Sequence, residues 1–163
     1  MHALAPAPAP TDLAAICDLL AEVELFDGLD GPALRALGAH MRLREFAEGE
    51  AIFREGDPGD WMGVLVEGEV RICKEADVRD VRVMAVETHR RAIGEMALVD
   101  GEPRSATCIA SKDASLLTLT RESFQRLSRE RPALALEVMH RVARLISRRL
   151  RATRGRLDEH LSG

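Results

Sequence analysis

The chain has 163 residues, 46% of them hydrophobic and 31% charged, with a formal net charge of −4. A chain of this size and balance builds one globular core without cross-links or metals, and its mild charge does not call for a polyanionic partner. The three cysteines, Cys17, Cys73 and Cys108, are odd in number, widely spaced and without a CxxC pair, which excludes a disulfide framework and a zinc knuckle and fits a reducing cytoplasm.

Residues 1–10 are dominated by alanine and proline and read as an extended, polyproline-like tail. No basic n-region precedes an apolar h-region there, and residues 13–26 are interrupted by Asp18, Glu22 and Glu24, so neither secretion nor membrane insertion is expected. Folding is expected to begin at Thr11 as an N-cap, followed by Leu13, Ile16, Leu19 and Leu20 at helical spacing. A second short helix is predicted over 32–41, opened by Pro32 and presenting Leu34 and Leu37.

The period then changes. Segments 51–53, 61–66, 70–73, 81–86 and 115–120 are short, rich in β-branched residues and separated by turn signals, which reads as a compact antiparallel roll. Gly56-Asp57-Pro58-Gly59 is predicted as the sharpest turn, with Pro58 presetting φ and Gly59 free to take a positive φ. Glu67-Gly68-Glu69 reads as a hairpin turn. Helical spacing returns after Thr120, first over 121–127 and then from Pro132 to about residue 161. The expected layout is a tail over 1–10, a roll with N-terminal helices over 11–130, and a helical arm over 131–163.

One segment inside the roll does not read as a strand. It runs Ile93-Gly94-Glu95-Met96-Ala97-Leu98-Val99-Asp100-Gly101-Glu102-Pro103-Arg104-Ser105-Ala106-Thr107. Gly94 permits close approach of backbone to a ligand, and the turn starting at Glu95 directs backbone N–H groups outward. Arg104 adds a planar, permanently charged fork suited to two phosphate oxygens, and Ser105 with the amides after it offers further donors. Glu95 would repel a phosphate. Its presence points to a neutral hydrogen-bond donor on the same ligand, such as a ribose hydroxyl.

With Gly94-Glu95, the apolar Met96-Ala97-Leu98, Pro103-Arg104 and Ser105-Ala106 at this separation, the segment resembles the phosphate-binding cassette of cyclic-nucleotide-binding domains, as in catabolite activator protein and protein kinase A regulatory subunits. The resemblance covers about residues 25–153. It implies a mainly β fold with flanking helices: a double-stranded β-helix, or jelly-roll-like β-roll, with N-terminal helices and a long C-terminal helix. It also implies Glu95 on the ribose 2′-hydroxyl, Arg104, Ser105 and nearby amides on the cyclic phosphate, and Ile72 and Val83 along the base, with Ile93, Gly94, Met96, Ala97 and Ala106 completing the wall. The chain departs from the family in its approach to the cassette, where Glu87-Thr88-His89-Arg90-Arg91-Ala92 lacks the usual glycine. Ser105, where cyclic GMP binders of the family often carry threonine, favours cyclic AMP. The alternative is a ligand-free dimerisation or scaffold domain in which Glu95 and Arg104 form a structural ion pair.

Met139, Val142, Ile146, Leu150, Thr153 and Leu157 form an apolar stripe on the terminal helix that asks for a homodimer partner. The run from Arg148 through Arg149 to Thr153 resembles the family segment whose threonine contacts the base, which implies Arg149 and Thr153 at the ligand. Residues 141–156 hold seven arginines and no acid; the default is a solvated face, with an unidentified protein partner or nucleic acid as the alternative. Too little chain follows for a helix-turn-helix unit, so direct DNA binding is not expected. Nor is catalysis, a cofactor or a metal: the histidines are dispersed, and no HExxH, GxSxG or phosphate-loop motif occurs.

Overall fold

The computed structural model describes residues 12–77, 80–88 and 90–161; the tail expected over 1–10 lies outside them. Helix α1 (Leu13–Ala21) is capped by Asp12, whose carboxylate accepts from the Ala14 N–H at 3.3 Å. Asp12 therefore takes the role expected of Thr11, which is also outside the described residues. Helix α2 (Gly31–Gly38) starts on Asp30, whose side chain accepts from the Ala33 N–H at 2.8 Å, with Pro32 in its first turn. It stops three residues short of the expected end. His40 leaves it for a turn and is held there by the Ala36 carbonyl at 2.8 Å and Glu130 at 3.1 Å.

Eight strands follow: β1 (Arg42–Phe46), β2 (Ala51–Phe53), β3 (Trp61–Glu67), β4 (Glu69–Asp77), β5 (Asp80–Thr88), β6 (Ala92–Ile93), β7 (Thr107–Ala110) and β8 (Ala114–Thr120). They form two antiparallel four-stranded sheets, ordered β1-β8-β3-β6 and β2-β7-β4-β5. Helix α3 (Glu95–Asp100) interrupts the roll between β6 and β7, and helices α4 (Arg121–Glu130) and α5 (Pro132–Leu161) close the chain. This is the mainly β roll with flanking helices that the sequence implied.

Two local expectations are corrected. Glu67-Gly68-Glu69 is not a hairpin, because β3 and β4 belong to different sheets. Gly68 carries the chain from one sheet to the other at φ +90°, where a side chain would strike the backbone at Asp113 and Ala114. The tight hairpin is instead β4–β5, registered from Glu69↔Thr88 to Asp77↔Asp80. In the 56–59 turn the positive φ belongs to Gly56, at +85°. Gly59 is needed for a different reason, since a Cβ there would overlap the Glu102 carbonyl oxygen.

The alternation of β3 and β8 explains where the core sits. Met62, Val64 and Val66 on β3, with Leu117 and Leu119 on β8, face a helical layer of Leu20, Leu37, Leu127 and Val138. Leu65 and Leu116, one residue out of phase, face Phe53, Val70 and Cys108 between the sheets. A sheet covered on both faces reads as a nearly continuous apolar run, as Met62 to Val66 does. Truncating a side chain as buried as Leu117 costs about 2–5 kcal/mol.

Helix α5 is 30 residues long. Leu134, Ala135, Val138 and Val142 are buried on its first turns, whereas Leu150 and Leu157 farther along the same stripe are more than half exposed. No described helix is long and apolar enough to cross a membrane.

Candidate ligand-binding site

The cassette segment is set between the sheets and α5 by two glycines. Gly94 enters α3 at φ +65° and Gly101 leaves it at φ +67°, a conformation that L side chains rarely adopt. Arg121, the first residue of α4, closes the helix by donating to the Ala97 and Leu98 carbonyls at 3.0 and 3.3 Å. In the approach segment that lacks the family's usual glycine, Arg90 adopts φ +71° and its N–H donates to the Leu65 carbonyl at 2.6 Å.

A cavity of about 240 Å³ lies against this segment. Ile93, Gly94, Glu95, Met96 and Ala97 form one side, and Arg104, Ser105 and Ala106 form another. Ile72 on β4 and Arg149 on α5 complete the set of expected residues that meet there. Val83 does not join them: it sits on β5, 53% exposed and outside the lining. Thr153 is also outside it, exposed on α5, with its hydroxyl donating to the Arg149 carbonyl at 3.0 Å.

Arg104 is 5% exposed. Its Nη2 donates to the Trp61 carbonyl at 2.7 Å and its Nη1 to the Gly94 carbonyl at 3.2 Å. The guanidinium also lies 4.2 Å from the Phe53 ring centre and 4.7 Å from that of Trp61, while the two rings meet edge to face at 5.7 Å. Burial pulls its pKa below the usual arginine value, with Asp60, Cys108, Asp57 and Glu95 opposing. The group stays a cation, because arginine starts so far above neutrality. Its Nε is fully buried without a partner in the protein, alone among the buried side-chain polar atoms of the described residues. An N–H in that state costs about 1–3 kcal/mol, which an anionic acceptor beside the guanidinium relieves.

Glu95 is paired, but not with Arg104. Its Oε1 accepts from Arg149 Nη1 at 2.5 Å, and Arg149 Nη2 donates to the Ala92 carbonyl at 2.9 Å. The Glu95–Arg104 structural ion pair considered from the sequence is therefore not the arrangement found. Arg149 also stands 3.8 Å from Glu87, a wall residue that the sequence did not single out. A carboxylate has capacity beyond one donor, so Oε2 remains available to a hydroxyl. Ser105 is held in place by Lys74, which donates to its carbonyl at 2.6 Å and pairs with Glu55 at 2.7 Å.

Phe53 and Trp61 are the residues that sequence reasoning missed. They looked like ordinary strand aromatics, and the available signal was that the two flank the Gly56-Asp57-Pro58-Gly59 turn.

A buried guanidinium and a buried carboxylate thus line one cavity beside the N-terminal end of a glycine-framed helix. The sequence profile of the cyclic nucleotide-binding domain matches residues 43–131, more than half of the chain. The chain belongs to that family. The cyclic nucleotide-binding domain from Methylobacillus flagellatus is 28% identical, covering 91% of this chain and 83% of that one with a TM-score of 0.79. The regulatory domain of protein kinase A from Toxoplasma gondii, solved with cyclic AMP, is 26% identical over 86% of this chain and 50% of its own, with a TM-score of 0.70. The cyclic AMP receptor protein of Thermus thermophilus is 33% identical over 82% of this chain and 60% of its own length. This cyclic nucleotide-binding domain spans about 60% of the length of that receptor protein and of a CRP-like transcriptional regulator from Mycobacterium tuberculosis, and a smaller share of other curated relatives.

Proposed function

We propose that this domain is a cyclic AMP sensor that transmits occupancy through α5. The observation that carries the reading is the buried, unpartnered Nε of Arg104, a residue that lines one cavity together with Glu95. A ligand with one anionic phosphate and one hydroxyl, as a ribose cyclic phosphate has, offers an acceptor to the first and a donor to the second. The roughly 240 Å³ cavity lies just below the range of about 300–1,000 Å³ typical of drug-sized sites, so it seats a mononucleotide and not a dinucleotide. Relatives that bind cyclic AMP by name support the choice of nucleotide, and Ser105 in place of threonine favours it over cyclic GMP.

In this mechanism Arg104 turns its free N–H groups to the phosphate while the two carbonyls and two rings hold it in the plane it needs. Ser105 and the adjacent amides add donors. Oε2 of Glu95 accepts from the 2′-hydroxyl while Oε1 keeps Arg149. Arg149 is then a positioning residue, and the Glu95–Arg149 bond joins the ligand to α5. Ligand shifts α5 only by its difference in affinity between two helix positions. Leu150 and Leu157, exposed on the unpacked part of the stripe, pair α5 with the same helix of a second copy in a two-fold dimer.

Calorimetric titration of nucleotide-stripped protein tests the reading. Cyclic AMP is expected to bind with preference over cyclic GMP, and Arg104→Ala to abolish the heat while the protein stays folded. No binding by folded wild-type protein, or binding indifferent to Arg104→Ala, refutes it.

A further inference from the structure

A second cavity, of about 500 Å³, lies on the far side of Arg149, between α5, the β5–β6 turn and the short 3₁₀ helix Glu24–Phe26. Six arginines line it: Arg90 and Arg91 from the turn, and Arg141, Arg144, Arg148 and Arg149 from α5. Among the described lining residues the acids are Glu24 and Asp27.

Three of these arginines are committed to the fold. Arg141 donates to the Leu25 and Asp27 carbonyls at 3.1 and 2.6 Å and to Glu137 at 2.7 Å. Arg90 donates to Glu22 at 2.7 Å, and Arg149 holds Glu95. The other three are not. Arg148 and Arg91 reach Glu24 and Glu87 only at 3.9 Å, and Arg144 has no hydrogen bond or ion pair among the described residues. Arg144 and Arg148 stand one helical turn apart, a spacing at which like charges repel. Two elements thus bring three uncommitted guanidinium forks to one concavity whose floor, Leu25, Leu145 and Ala152, is apolar.

We propose that this groove is a second ligand site, distinct from the cyclic nucleotide cavity, for a small organic molecule carrying two or more adjacent phosphate groups. Three forks on one concavity need more anionic oxygens than a single carboxylate supplies, and adjacent phosphates present them. The volume is that of a small-molecule site and the apolar floor suits an organic moiety. A nucleic acid would track the α5 surface instead, yet Arg151 and Arg154 on that helix fall outside the lining. The proposal does not depend on what fills the other cavity.

The test is a magnesium-free titration with ATP, AMP, inorganic tripolyphosphate and polyglutamate. ATP is expected to bind at least about tenfold more tightly than AMP, with tripolyphosphate between them because it lacks contact with the floor. Arg144→Glu/Arg148→Glu is expected to weaken ATP by about tenfold or more, both side chains being exposed and outside the core. Glu24→Gln, which removes a competing acid, is expected to strengthen it. Arg104→Ala, in the other cavity, leaves ATP affinity unchanged. The proposal is overturned if ATP does not bind at millimolar concentration, if AMP or polyglutamate binds as tightly, or if ATP binding is lost in Arg104→Ala but kept in the double variant.

Discussion

Replacing Arg149 with alanine and Glu95 with glutamine, singly and together, isolates the bond that ties α5 to the cassette. The structure sets its size. Unit charges about 4 Å apart interact by roughly 4 kcal/mol at an effective dielectric constant near 20. The Glu95 side chain is 8% exposed, so its desolvation subtracts from that gain, and Arg149 is 33% exposed, so solvent screens the pair. A coupling energy of about 1–2 kcal/mol remains, read as the non-additive part of the unfolding free energies by urea denaturation. In cyclic AMP titrations Arg149→Ala is expected to weaken binding about tenfold, because the carboxylate is no longer aimed at the hydroxyl. Hydrogen exchange in the second half of α5 is expected to lose its dependence on ligand in the same variant. A coupling energy below about 0.3 kcal/mol, within the additivity of independent sites, would refute the reasoning, as would ligand-dependent protection of α5 that survives Arg149→Ala.

Two further outcomes follow from the same geometry. Gly94→Ala places a Cβ against the Arg104 guanidinium at φ +65°; the left-handed conformation alone costs about 1–2 kcal/mol, and cyclic AMP binding is expected to fail with it, measured by denaturation and calorimetry side by side. Burial pushes the Cys108 thiol up to about 12 from 9.0, so the unfolded chain loses this proton first as pH rises. Its contribution is fully present below pH 9 and falls away toward pH 12, by up to about 1.4 kcal/mol per pH unit. Cys108→Ala is expected to flatten the decline of the denaturation midpoint between pH 8 and 10.5; an unchanged slope removes Cys108 as its source.

The parts of the fold legible in the sequence were those with a local cause. Pro32 opens α2, the apolar run from Met62 to Val66 makes β3, and the Gly94-Glu95 and Pro103-Arg104 pairs announce the cassette before any fold is known. Strands β1, β6 and β7 were not read. Arg42–Phe46 buries only its last side chain, β6 is two residues long, and β7 directly continues the cassette. Each exists because a neighbouring strand supplies its hydrogen bonds. Gly68 shows the same limit: a turn signal says that the chain bends, and not which sheet the next strand joins. At the site, Glu95 and Arg104 were legible as chemistry, whereas their partners were not. Trp61 and Phe53 reach Arg104 across 40 or more positions of sequence, and the Arg149 contact with Glu95 spans 54. Such pairings are properties of topology.

The place of Trp61 gives this protein an optical property. It is the chain's single tryptophan, and its indole shares the Arg104 guanidinium with Phe53 while Arg44 lies 4.9 Å from the same ring. Cations over an indole shift its excited state, so any turning of Arg104 changes the emission of the only strong fluorophore present. The domain therefore carries a built-in reporter at the phosphate end of its pocket, readable in a cuvette without a dye and without altering a residue.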